Sequence, residues 1–135
     1  MKKIDCYVVD TLGDFDKEVV RFVKKKRYKR LPDQIEELEE QLIKGDFPGD
    51  LIKREDTPVP HEIYKLRLPN PDTNKGKSNG YRVYYLVVTE QRLILLMFIY
   101  YKKEQETVSS TFIDGLVNGF FLDAMPYDDS EDADH

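Results

Sequence analysis

The run RLILLMFIYY, residues 92–101, is apolar or aromatic at every position after the first. Alternate residues of a strand point to opposite faces, so a strand apolar on both faces belongs inside a sheet rather than at its surface. The run therefore predicts a central strand. It falls far short of the roughly 20 apolar residues that a membrane-spanning helix needs, and the opening MKKIDCYVVD has no apolar core of the signal-peptide kind. A chain of 135 residues with 40% hydrophobic content is expected to form one globular domain, soluble and cytoplasmic. The single cysteine, Cys6, cannot make an internal disulfide; it suits a reducing compartment and reads as a small buried side chain.

Helical and strand periods divide the rest of the chain. KIDCYVV predicts a first strand, and Gly13-Asp14 introduces a helix with Phe15, Val19, Phe22 and Val23 on one face. Pro32 and Asp33 open a second helix that buries Ile35, Leu38, Leu42 and Ile43, turns its glutamates outward and stops at Gly45. Beyond it the period becomes two. EIYKLRL sets Lys65 and Arg67 on one side and Tyr64, Leu66 and Leu68 on the other. YRVYYLVV likewise sets Arg82 and Tyr84 against Tyr81, Val83 and Tyr85. VSSTFIDGLVNGFF predicts a C-terminal helix capped by Ser109 or Ser110, although Gly115 and Gly119 weaken it. The class is α+β.

The net charge of -5 conceals an uneven distribution. Residues 111–135 hold seven of the 26 acids and no lysine or arginine, which leaves the preceding body with 21 bases against 19 acids. Asp128 to Asp134 then reads as part of a solvated acidic tail. Bases gather in KKKRYKR, residues 24–30, and again between Lys65 and Lys103. A basic, tyrosine-rich body admits contact with nucleic acid.

Gly76-Lys77-Ser78 ends like a nucleotide-binding P-loop, but the position of that motif's first glycine is Pro71, which has no N–H to donate. The β-forming YRVYYLVV stands where a P-loop's helix would begin. The tripeptide reads instead as part of a basic loop leading into the Arg82 strand.

Together, YKLRLPNPDTNKGKSNGYRVYYLV and LLMFIYYKKEQETVS resemble the RelE/HigB branch of bacterial toxins from type II toxin-antitoxin modules. The resemblance rests on Tyr64-Lys65-x-Arg67, Gly76-Lys77-Ser78-x-Gly80, Tyr81-Arg82-Val83-x-Tyr85 and Tyr100-x-Lys102-x-Glu104, and it covers about residues 63–109. It implies two helices packed on one face of a mainly antiparallel sheet, with a concave basic face opposite. A toxin domain is expected over 1–122; the resemblance does not reach the last 20 or so residues, and their charge pattern predicts an acidic, flexible tail over 123–135. The implied activity is a metal-independent, ribosome-dependent endoribonuclease (an mRNA interferase) in which the RNA 2′-hydroxyl attacks the adjacent phosphorus. No cofactor is implied. The implied partners are mRNA, the ribosome and a cognate antitoxin, in a toxin-antitoxin hetero-oligomer.

The same resemblance suggests Lys65, Arg67, Arg82 and Tyr100 as catalytic residues, the cations around the scissile phosphate and the tyrosine to stack on a base or place a proton. Lys75, Lys77, Lys102 and Lys103 would extend the RNA-binding surface. His61 is a candidate for proton transfer and Glu104 for orienting Lys102. Two alternatives keep the scaffold without the nuclease, a gyrase inhibitor like the related ParE branch and an inactive co-repressor bound to its antitoxin. A plainer reading pairs Lys65, Arg67 and Arg82 with acids such as Glu62 or Glu90 across strands.

Overall fold

The apolar run becomes β5, Leu93–Tyr101, flanked in the sheet by β1, Val8–Thr11, and β4, Tyr81–Val88. The computed structural model describes residues 6–52, 60–73, 76, 79–105 and 107–124. Next to β4 lies β3, Glu62–Leu68, and then β2, Asp50–Ile52, giving the order β1-β5-β4-β3-β2. Only β1 is parallel to its neighbour; the other pairings are antiparallel. Every residue of β4 is buried, so it is as interior as β5.

Two helices follow β1. The first, α1, is Gly13–Lys24, with Asp14 and Asp16 in its first turn and Arg21 and Lys24 in its last, each sign at the end where the helix dipole favours it. The second, α2, is Leu31–Ile43, with proline in its opening turn and Gly45 beyond its end at φ 87°, a backbone region that suits glycine. Phe15 and Phe22 of α1 join Leu31, Ile35, Leu38 and Leu42 of α2 against Tyr81, Val83, Tyr85 and Val87 of β4 and Ile94, Leu96, Ile99 and Tyr101 of β5. Ile43, expected on this stripe, is exposed at the helix end. Burying each of the large side chains contributes about 1.5–3 kcal/mol against the entropy of ordering the chain.

The opposite face departs from expectation. It is not one open basic surface, because α3, Ser110–Ala124, covers part of it with Ile113 and Val117 packed on Ile63, Leu86, Val88, Leu95 and Met97. Ser109 caps this helix, its Oγ accepting the Phe112 N–H at 3.0 Å. Gly115 and Gly119 have no neighbouring atom where a Cβ would stand, so no packing demand explains them. Burial of Ile113 and Val117 offsets their poor helix propensity.

A β-bulge links the two faces. Tyr84 pairs with Phe98 and Tyr85 with Leu96, which leaves Met97 as the extra residue. Met97, Phe98 and Tyr100 then all belong to the α3 side, and Ile99 and Tyr101 to the other. Cys6 is exposed rather than buried, because it lies just outside β1. No helix among the described residues is long and apolar enough to cross a membrane.

Candidate nucleic-acid interface

Strand register builds a small grid on the part of the α3-side face that the helix leaves open. Lys65 of β3 lies opposite Tyr84 of β4, which lies opposite Phe98 of β5. In the adjoining row Arg67, Arg82 and Tyr100 stand opposite one another in the same way. Neighbouring strands are about 4.8 Å apart, so each row spans roughly 10 Å. The period of two puts these side chains on one face within β3 and β4, and the bulge brings Tyr100 to it from β5.

The cations in the grid are close enough to act on one another. The Lys65 ammonium sits 5.6 Å from the Tyr84 ring centre. Burial holds the Lys65 pKa below its ordinary value, and Arg82, Arg67 and Lys102 lower it further, with Asp50 opposing them. Arg82 is 4% exposed and donates from Nη1 to the Tyr81 carbonyl at 3.2 Å. Its pKa also lies below the usual guanidinium value, first through burial and then through Arg67. Like charges directly opposite on paired strands destabilise the sheet. A bound anion would relieve that repulsion.

Burial keeps Tyr84, beside the cations, neutral. Tyr84 is pushed up to about 12, by burial first and then by Tyr100, whose ring centre lies 6.4 Å away. Tyr100 is 2% exposed, so its ring is closed to base stacking and its place is beside Tyr84 and Arg82. Gly80 sets the start of β4: an added Cβ would lie 2.0 Å from the Leu68 carbonyl oxygen, and the Gly80 carbonyl accepts the Lys102 N–H at 3.0 Å. This close approach joins the β3 and β5 ends to β4 and puts Lys102 beside the grid.

Two expected participants stand elsewhere. Glu104 does not orient Lys102; it binds Arg21 of α1 at 2.7 Å and Lys26 at 3.1 Å, fastening the turn after β5 to the helical hairpin. His61 lies against Phe121 of α3, ring centres 5.2 Å apart, about 13 Å along the strand from Lys65 and about 20 Å from Arg67. It is too far from the grid to carry a proton there. Lys103 is exposed in the turn that holds Lys102, whereas Lys75 and Lys77 lie outside the described residues, as do the acids from Asp128 to Asp134. Glu62 accepts from the Tyr64 hydroxyl at 3.0 Å.

The sequence pattern gave Tyr84 no role at the site and did not single out Phe98 or Phe112. The phase of YRVYYLVV already put Tyr84 on the Arg82 side. Phe98 joined that side only through the bulge, and nothing in the local pattern signalled Phe112. Among the described residues no group of three or more His, Cys, Asp or Glu could hold a metal ion.

The fold and this face define an α+β domain with a cation-aromatic surface suited to a phosphate-bearing chain. No protein-family model and no curated protein matches the chain. Among solved structures it is similar to the archaeal RelE-RelB complex from Pyrococcus horikoshii OT3, at 21% identity over 71% of this chain and 94% of that one, TM-score 0.41. It is also similar to the isolated E. coli RelE toxin, at 20% identity over 83% of this chain and 97% of that one, TM-score 0.40. Both likenesses are loose in superposition and in sequence, so the reading of the site rests on its own geometry.

Proposed function

We propose that the protein is the toxin of a toxin-antitoxin pair and cuts messenger RNA as a metal-independent endoribonuclease on the ribosome. The observation that carries this reading is the set Lys65, Arg67, Arg82 and Lys102, mutually repelling cations gathered beside Tyr84 and Tyr100 on one sheet face. Such a surface gains most when a phosphodiester enters it. Arg67 and Arg82 would hold the non-bridging oxygens, where negative charge grows in the transition state; one such contact is worth about 3–4 kcal/mol.

The chemistry can come from the RNA itself. Its 2′-hydroxyl attacks the adjacent phosphorus, a 2′,3′-cyclic phosphate forms and the bond to the 5′-oxygen breaks. Lys65, with its pKa lowered, takes the hydroxyl proton as a neutral amine, and the Lys102 ammonium returns a proton to the departing 5′-oxygen. The antitoxin expected here offers an acidic or amphipathic segment to the same cations and folds as it binds.

Induced expression followed by primer extension on cellular transcripts tests the reading. Cuts within translated codons and growth arrest are expected, both relieved by Lys65→Ala with Arg82→Ala in a protein that still melts cooperatively. A folded double variant that remained fully toxic would overturn it. DNA damage without RNA cuts would assign the scaffold to gyrase inhibition.

A further inference from the structure

We propose that Phe112 of α3 is the exposed ring on which a base stacks beside the cation cluster, making it a binding residue for single-stranded RNA. The inference rests on the cluster being an RNA site and adds a residue from a helix outside the motifs that first suggested one. Single-stranded RNA is held by combining a positive track for its phosphates with aromatic faces for its splayed bases. The grid supplies the first element completely and the second incompletely. Tyr84 is 5% exposed and Tyr100 2%, so neither ring offers a face to a base. Phe98 is half-buried beside them, its ring centre 6.4 Å from that of Tyr100.

Phe112 completes the series. It meets Phe98 edge to face at 4.9 Å and 70° yet remains 37% exposed, the one aromatic ring among the exposed large apolar side chains described. The edge-to-face contact leaves ring surface outside the packing. Its backbone is pinned, because the Phe112 N–H is the one that Ser109 caps at 3.0 Å. A base that leaves the phosphate track on the β5 side would meet a ring already held in position, at little ordering cost. Phe98 stands about 10 Å across the sheet from Lys65, so the base concerned belongs to a nucleotide next to the bound phosphate rather than to one far along the strand.

The test is binding of 2′-O-methyl RNA oligonucleotides, which cannot be cut, by the full chain and by Phe112→Leu and Phe112→Trp. Leucine keeps an apolar cover on Phe98 but removes the aromatic face, and thermal melting should show that each variant folds as the parent does. Phe112→Leu is expected to bind about tenfold more weakly and Phe112→Trp at least as tightly as the parent. In a series with one abasic nucleotide at each position in turn, a single position should erase the difference between the parent and Phe112→Leu. Equal binding by Phe112→Leu and the parent, a deficit that persists at every abasic position, or no RNA binding by the parent would each overturn the proposal. Because the oligonucleotides are uncleavable, failure of the nuclease reading shows separately: a parent that binds through Phe112 but leaves cellular transcripts intact refutes cleavage and leaves the stacking assignment standing.

Discussion

Replacing Arg82 by methionine should separate what that residue does for the fold from what it does for a phosphate. Arg82 is buried, with Arg67 opposite it on β3 and Tyr100 opposite it on β5, and methionine retains much of its apolar stem there. The loss includes the hydrogen bond to the Tyr81 carbonyl, about 1 kcal/mol. The gain is relief from Arg67 directly opposite, about 0.2–1 kcal/mol, together with removal of a charge that burial disfavours. These terms nearly cancel, so unfolding free energy should change by no more than about 1 kcal/mol, or about 4 °C in melting temperature for a domain of this size. The transition state has no such compensation. Losing about 3–4 kcal/mol of charge stabilisation slows cleavage by roughly a hundred- to a thousandfold. Melting followed by circular dichroism and cleavage of mRNA on programmed ribosomes read the two effects independently. A variant that cuts normally, or one that melts more than about 10 °C lower, would refute the reasoning, because Arg82 would then serve the fold rather than the phosphate.

Glu104→Gln should cost about 1 kcal/mol near neutral pH, as one carboxylate joins Arg21 and Lys26 at a partly exposed site. The Arg21 hydrogen bond, ahead of opposing burial and the Lys26 hydrogen bond, holds this carboxyl below its ordinary 4.5. Its contribution is therefore present above that value and fades as pH falls through the lower folded one, so acid titration of melting temperature should be flatter in the variant. Gly80→Ala should be insoluble or lose more than about 2 kcal/mol in denaturant unfolding, since its Cβ would meet backbone at 2.0 Å from Leu68 and 3.0 Å from Pro69. Cleavage rate should rise with pH to an apparent pKa below 10.5, the ordinary lysine value, as the Lys65 amine loses its proton. Added salt should move that pKa upward by screening Arg82, Arg67 and Lys102. A pH limb that survives Lys65→Arg would exclude Lys65 as the base.

Much of this arrangement was legible from local pattern. The spacing of Phe15, Val19, Phe22 and Val23 marked α1 and its buried side, and the alternation in EIYKLRL and YRVYYLVV put Lys65, Arg67, Arg82 and Tyr84 on common faces before any strand was paired. Glu104 could not be read the same way, because its partner Arg21 is 83 residues distant and no local spacing relates them. His61 looked near the site in sequence, but a strand advances about 3.3 Å per residue, and the short separation becomes a long one.

Residue order determined the helices, the longer strands and the face each side chain takes within its own strand, since those depend on backbone periods of 3.6 and 2 residues, whereas the three-residue β2 is too short to show a period. Pairing between distant segments decided the rest. The bulge at Met97 reversed the phase of β5 and so put Tyr100 rather than Ile99 beside Arg82. Docking of α3 closed part of the face, left the cations at the other part and set Phe112 at their border. Neither outcome is written in a local period: β5 is apolar in either phase, and α3 acquires an inner and an outer side only once the sheet is there to pack against.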